Sequence, residues 1–440
     1  MNRLKKMFSI GVALAGSAVL AALPAVDMVS FVATNTPGAV VVDYAFSGAP
    51  AIITFEVKTN GVPLDIGYPS AVGAVNRFLQ PGSHRFTWAA DVDWPGHLIS
   101  EPSVEIVVKA AATNDPPDYM IIPTDSNTLT RRYYDKVADI PGGITNHLYK
   151  SRFLAMRRIP AAGKTFRQGL MLPEPGRDTY NSGRLVAFSA DYYIGVYELT
   201  VRQYRNMVPD LSAYSDWAEF CNNTRGSLGE KLYAALMGDG EYNEARAVGG
   251  PTPRYYFLGN AAAYIWPESQ GGVNNSSSIR QIRTATKIPQ MYLPTSAQWE
   301  FACRAGSVTP FANNQTNIAG LGWCSVNSSE DPNWVEGTPH AVGQLKPNAW
   351  GLYDMHGNVC EWCCDCYAAT RAVDAGGVPL VDPSGPASSG DVGAHVMVLH
   401  GGSYGDAMGN CSSGYAKGLS WNNGERTNGF RLCCPAIVDR

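Results

Sequence analysis

The side chains best equipped for chemistry in this sequence are its thiols. Ten cysteines occur, all at or after Cys221. Four crowd one segment, Cys360, Cys363, Cys364 and Cys366, and Cys433 and Cys434 form an adjacent pair near the end. Cys360 and Cys363 with Cys433 and Cys434 are the raw material of a tetrahedral zinc site. Zinc sites usually pair two such knuckles at loop spacing, and an even cysteine count in an exported chain suits disulfides better, with a connectivity the sequence does not give. A catalytic dithiol is the sharper reading of this segment and structural cysteines the plainer one. The string Gly401-Gly402-Ser403-Tyr404-Gly405 matches a nucleophile elbow, but that chemistry needs a histidine downstream and none follows His400. His340 and His356 read as structural. There is no phosphate-cradling glycine loop and no amphipathic basic helix.

The elements that must position these residues are sparse in the sequence. In 440 residues only 16% are charged, while Gly and Pro number 45 and 29, which describes a loop-rich globular chain rather than a coiled coil, a helical bundle or a disordered one. Lys and Arg total 34 against 38 Asp and Glu, and no basic block lies beyond residue 6, so a nucleic-acid groove is not expected. Arg3, Lys5 and Lys6 precede an apolar run from Met7 to Leu23 closed by small residues, the layout of a secretory signal peptide over residues 1–25. The mature protein is therefore expected to be exported, periplasmic or at the cell surface, with no membrane span after cleavage.

Residues 27–112 alternate apolar and polar side chains in short runs: Val40 to Phe46, Ile52 to Lys58 closed by Asn60-Gly61, His84 to Trp88, and Val104 to Val108. This spacing predicts a small antiparallel β-sandwich of immunoglobulin-like type, a spacer or docking module. Residues 113–158 read as a linker with short strands at Asp118 to Ile122 and Leu148 to Met156. From there to residue 440 only two helical patterns stand out. One follows Thr200 as N-cap through Val201 to Met207. The other runs from Ser296 to Arg304 behind a Thr295/Gln298 capping-box pattern and ends before Gly306.

Four strings then become specific: Asp191-Tyr-Tyr-Ile-Gly-Val-Tyr-Glu-Leu-Thr200, Leu293-Pro-Thr-Ser-Ala-Gln-Trp-Glu-Phe-Ala-Cys-Arg-Ala-Gly306, Asn348-Ala-Trp-Gly-Leu-Tyr-Asp-Met-His-Gly-Asn-Val-Cys-Glu-Trp362, and His400-Gly-Gly-Ser-Tyr404 with Asn428-Gly-Phe-Arg431. Their order and spacing resemble the formylglycine-generating enzyme family, or sulfatase-modifying factors, over roughly residues 159–434. The resemblance implies an α+β, C-type-lectin-like fold for residues 159–440. It implies an activity that oxidises a sulfatase cysteine to formylglycine with molecular oxygen, on copper held by two cysteines five residues apart. Here the second position is Cys411 and the first is Asp406. A carboxylate is a hard ligand and does not replace a thiolate for copper(I), so copper is not expected and Cys411 is left as a catalytic candidate without its partner. Cys363 or Cys433 would have to supply the second thiolate. The family's iron-using branch is not expected either, because no histidine cluster is present.

The resemblance also implies a structural calcium ion, with the side chains of Asp354 and Glu361 and the carbonyls of Gly357 and Val359 as ligands, a donor set of the hard oxygens that calcium prefers. Where this chain has Cys360, Cys364 and Cys366 the family usually has tryptophan, so these cysteines read as structural. The leading expectation is a non-catalytic binding protein whose protein or glycan ligand meets the surface around residues 404–428. One alternative is an active formylglycine-generating oxidase. Another is a variable protein of a diversity-generating retroelement, since Gly405, Asp406, Gly409, Ser412, Ser413, Gly414 and Tyr415 are all reachable from asparagine codons by changing adenines.

Overall fold

The computed structural model describes residues 22–33, 38–64, 70–97, 99, 104–125, 131–170, 183–207, 278–329, 337, 339–368, 372–374, 376–385, 396–420 and 427–438. Cys221 and the apolar run of the expected signal peptide up to residue 21 lie outside them.

The N-terminal alternation folds as two antiparallel sheets over one core. Strands β1 (Ala25–Ala33), β2 (Ala39–Ser47), β5 (Ala71–Gly73) and β7 (Gly82–Ala89) form the first, in the order β1-β2-β7-β5. In the second, β3 (Ala51–Thr59) pairs with β4 (Val62–Pro63) and β6 (Arg77–Leu79), and along its whole length with β8 (Val104–Ala112). Val40, Val42, Tyr44 and Phe46 of β2 are buried while their neighbours are not, the period of two that puts alternate side chains on one face. They meet Ile53, Val57, Ile106 and Val108 from the facing sheet around a fully buried Trp88. Asn60 and Gly61, with φ of 51° and 77°, make the β3–β4 turn. Both angles are positive, as the mirror-image hairpin turn requires. A single helical turn, α1 (Ala90–Asp93), follows β7.

The stretch read as a linker is structural. Strands β9 (Tyr119–Pro123), β10 (Arg132–Tyr134) and β11 (Phe153–Ile159) enter a five-stranded sheet with β14 (Tyr192–Gly195) and β20 (Cys433–Pro435), ordered β10-β9-β11-β14-β20. Residues 148–151 are not the start of a strand but a helical turn, α2 (Leu148–Ser151). The Asn146 side chain accepts from the Leu148 amide, and the Ser151 hydroxyl donates to the His147 carbonyl, so local side-chain bonds hold this turn out of the ladder.

Two smaller sheets complete the α+β region. One is β12 (Thr165–Gln168), β13 (Arg184–Ala187) and β16 (Leu380–Val381); the other runs β18 (Ala416–Ser420), β17 (Val396–His400), β15 (Cys360–Cys366), β19 (Asn428–Gly429). The two helices read from sequence appear as α3 (Val201–Met207) and α5 (Ser296–Arg304), with α4 (Ser278–Thr286) between them among the described residues. Both are closed by reciprocal capping: the Gln203 and Gln298 amides donate to Thr200 Oγ1 and Thr295 Oγ1, and each Gln side chain accepts from the threonine amide. Helix α5 ends at Ala305 in the left-handed region, followed by Gly306.

Candidate functional site

Strand β15 organises the site because both of its faces are buried. Cys360, Trp362, Cys364 and Cys366 point into one core with Met120, Tyr193, Ile282 and Phe430, while Cys363 points into a second with Trp299, Phe301, Val398 and Cys433. The cysteines at the family's tryptophan positions are thus core packing. The nine described cysteines are all buried and none is bonded to another, so the expected disulfides are not formed among them. Rigidity here comes from packing and buried polar contacts. The four cysteines weighed as a zinc site are divided between the two faces. Among the described residues no three His, Cys, Asp or Glu side chains are gathered closely enough to hold a metal ion.

Between these layers lies a buried charge cluster drawn from the sequence strings: Asp354 and Glu361, expected as calcium ligands, together with Glu198 and Arg431, to which the sequence assigned no role. Arg431 makes a two-pronged ion pair with Glu361, Nη2 to Oε1 at 2.5 Å and Nε to Oε2 at 2.6 Å. Trp299 Nε1 donates to the same carboxylate at 2.6 Å. Both Glu361 oxygens are therefore committed. Glu198, also fully buried, accepts from Asn358 Nδ2 at 2.6 Å and from the Val359 amide at 3.1 Å. Asp354 accepts from the Gly343 amide through Oδ2 at 2.6 Å, while its buried Oδ1 has no partner. Burial drives the pKa of Glu198 well up, with Asp354 and Glu361 adding to the effect, and pushes Asp354 up to about 6. Three buried carboxyl groups face the Arg431 guanidinium, with the half-buried Lys150 ammonium also acting on Asp354. That imbalance and the orphaned Asp354 oxygen suit a cation beside Asp354. Glu361 does not suit the same role, because Arg431 and Trp299 already use it. The left-handed backbone of Asp354, Gly357 and Asn358 curls this segment.

The thiol candidate lies on the far side of this segment. Cys411 ends a short helical turn over residues 408–411 and is fully buried with Phe311, Ala312, Ile318, Leu321 and Cys324. Burial raises its thiol far out of the physiological range, and Cys324, Cys360 and Asp406 raise it further. Its thiol neighbours are therefore Cys324 and Cys360, while Cys363 and Cys433 sit in the other core. Asp406 is occupied as a turn residue: it accepts from the Ser403 amide at 2.9 Å and the Ser403 hydroxyl at 2.6 Å, with Lys417 Nζ at 3.6 Å and the Cys360 thiol at 3.5 Å. His356 ties the turn down. Burial holds it down at about 4 and hence neutral; its Nε2 accepts from the Ala312 amide and its Nδ1 donates to the Cys411 carbonyl.

Ser403, the elbow candidate, has its hydroxyl bound to Asp406. A different Ser–His contact exists, Ser296 Oγ to His400 Nε2 at 2.8 Å with Trp299 stacked on the imidazole, but all three side chains are buried, out of reach of a substrate. His340 is buried under Trp323. Of the positions considered for variation, Gly405 and Gly409 are exposed, Asp406 and Tyr415 are half-buried, and Ser412, Ser413 and Gly414 are buried. The exposed turn over residues 405–409 adjoins a second exposed turn at residues 325–327, through a hydrogen bond from the Ser325 amide to the Asp406 carbonyl.

The family model described as the sulfatase-modifying factor enzyme 1-like domain matches residues 162–435. The chain is 30% identical over 197 residues to the chaperone protein LppX of Paenibacillus barcinonensis, covering 40% of this chain and 62% of that protein. It is 35% identical over 122 residues to the formylglycine-generating enzyme of Streptomyces coelicolor, covering 26% of this chain and 35% of that enzyme. The chain thus spans less than two thirds of either relative. Among solved structures it is similar to Treponema denticola variable protein 1, with a TM-score of 0.44 and 22% identity over 64% of this chain and 95% of that one. It is also similar to PvdO from Pseudomonas aeruginosa, with a TM-score of 0.38 and 20% identity over 64% of this chain and 94% of that one.

Proposed function

Because the chain belongs to the sulfatase-modifying factor enzyme family, we propose that it keeps the family's C-type-lectin-like scaffold as a binding module and has lost copper-dependent oxidation. The observation that carries this reading is Asp406. At the position where a second thiolate would be needed, it is a carboxylate already engaged by Ser403 and Lys417. A hard oxygen ligand does not hold copper(I), and the remaining thiol, Cys411, is sealed from solvent. The ligand surface is the pair of exposed turns around residues 325–327 and 405–409. Val326 and Met408 there expose apolar area, at 78% and 39%, which favours a protein ligand over a glycan. One relative bears the name of a chaperone protein, which supports the same choice. The chain works outside the cytoplasm, with its N-terminal sandwich, of immunoglobulin-like type, as spacer. A calcium ion sits beside Asp354 with the Gly357 and Val359 carbonyls, and Glu361 serves Arg431 instead of the ion. The test is incubation with copper, oxygen and a peptide carrying the sulfatase cysteine motif. No change in peptide mass is expected; a shift matching conversion of thiol to aldehyde overturns the reading.

A further inference from the structure

A second site lies away from the family strings, where the sandwich meets the C-terminal region. We propose that the cavity between Asn76, Arg77, Arg131 and Lys287 binds a tetrahedral oxyanion, a sulfate or phosphate group. Its volume is about 210 Å³ and ten residues line it, none of them Asp or Glu. Three chain segments distant in sequence converge there: the approach to β6, the β9–β10 region and the end of α4. Each brings a cation, Arg77, Arg131 and Lys287 in turn. Three basic side chains around one cavity make its potential positive, which favours an anion there. Among the described residues the Arg77 guanidinium has neither an ion pair nor a hydrogen bond, so it is available at the rim.

The decisive group is Asn76. It is 4% exposed, and its Nδ2 is buried without a partner. Buried donors are rarely left unpaired, because an unmade hydrogen bond keeps the full desolvation cost. Its backbone is fixed independently: φ is 55°, in the left-handed region, and its amide donates to the Ile53 carbonyl. The side chain is thus held in place beside a basic cavity, with its N–H unpaired. At the end of α4 the Arg283 and Thr284 carbonyls, which would repel an anion, are taken by the Ile288 and Lys287 amides. Drug-sized sites occupy ~300–1,000 Å³, and the smaller volume here selects a single charged group. The other cleft in this region, about 520 Å³ and lined by Glu56, Lys109, Asp135 and Asp139 among others, has mixed charge and no such selectivity.

The test is calorimetric titration of the full chain with sodium sulfate and sodium phosphate against sodium chloride at fixed ionic strength. One-to-one binding of sulfate or phosphate and none of chloride is expected. Asn76→Asp, which keeps the side chain's shape and adds a negative charge, should weaken it at least tenfold, and so should Arg77→Glu, whose exposed site makes misfolding no explanation. A phosphomonoester and a sulfated monosaccharide run alongside identify whether the group arrives free or as an ester. No binding, or binding that survives both substitutions, overturns the proposal.

Discussion

At the level of single residues, Arg431 is the side chain on which most depends. It is fully buried and neutralises Glu361, while its remaining N–H groups donate to the Gly195 and Tyr353 carbonyls. Removing one partner of such a pair strands the other charge in a dry interior. Arg431→Met should therefore destabilise the fold by about 3–5 kcal/mol in urea unfolding, and adding Glu361→Gln should recover part of that loss, because the two share one interaction. Asp354 makes a prediction with a definite sign. Its ordinary value is 3.8 and burial lifts it to about 6 in the folded chain, so the folded state holds the proton more tightly than the unfolded one. Its contribution to stability is whole below about pH 4 and is lost as pH rises through 6. In chelator, melting temperature should fall across this window. Calcium should abolish the fall, and Asp354→Asn should flatten it without calcium; a slope indifferent to both would remove the cation from this site. The thiols predict inertness. Burial pushes Cys303, Cys360 and Cys434 up to about 12, which leaves about one molecule in ten thousand as thiolate at pH 8. Ellman's reagent on the native protein should find at most the thiol of Cys221, and all ten after denaturation.

At the level of elements, the glycines of the 402–415 segment separate what can vary from what cannot. A β-carbon on Gly409 would meet nothing within 4 Å, whereas one on Gly414 would lie 2.7 Å from both the Gly169 backbone and Arg304 Nη2. Gly409→Asn should change stability by no more than about 0.5 kcal/mol, while Gly414→Asn should cost about 1–3 kcal/mol through overpacking, both read from chemical denaturation. Adenine-directed variation, if it occurs, is confined by this geometry to the exposed turn. The same segment marks the limit of what the sequence made legible. Elements with a local cause were readable: the Asn60-Gly61 turn, the alternating strands of the sandwich, and the two helices with Thr/Gln capping boxes were all set by side chains within a few residues. Elements with a distant cause were not. Strand β15 has no alternation to read, because both faces are buried, and α2 owes its shape to Asn146 and Ser151 acting on a stretch whose composition suits a strand. In the charge cluster, Glu361 and Asp354 stood in a recognisable string, but Glu198 and Arg431 come from segments far along the chain. Only the packing of β14, β15 and β20 shows that Arg431 takes both oxygens of Glu361. Asn76 carried no local signal at all.

At the level of the whole molecule, the boundary between the two halves falls earlier than the composition shift suggests. Proline and glycine at residues 116, 117, 141, 142 and 143 look like a tether, yet the segment holds β9 and most of β11. Strand β11 pairs with β9 on one side and β14 on the other, which makes it the middle strand of its sheet. Removing it would strand two ladders of backbone donors and acceptors and expose Met120, Ile122, Leu154 and Met156, all buried in the larger core. Removing the sandwich instead takes away less: from its strands only Ile52 of the buried side chains, with Ala111 packed beside it, joins that core. Losing one such side chain costs about 1.5–3 kcal/mol, within reach of a domain of this size. A chain beginning at residue 113 should therefore fold and melt cooperatively, a few degrees below the full protein. A chain beginning at residue 159, the boundary that composition alone indicates, should show no cooperative melt and should be digested by trypsin as fast as its unfolded form. Cooperative melting of the shorter chain would mean that the sheet closes without its middle strand, and that the family domain, which matches from residue 162, is self-sufficient.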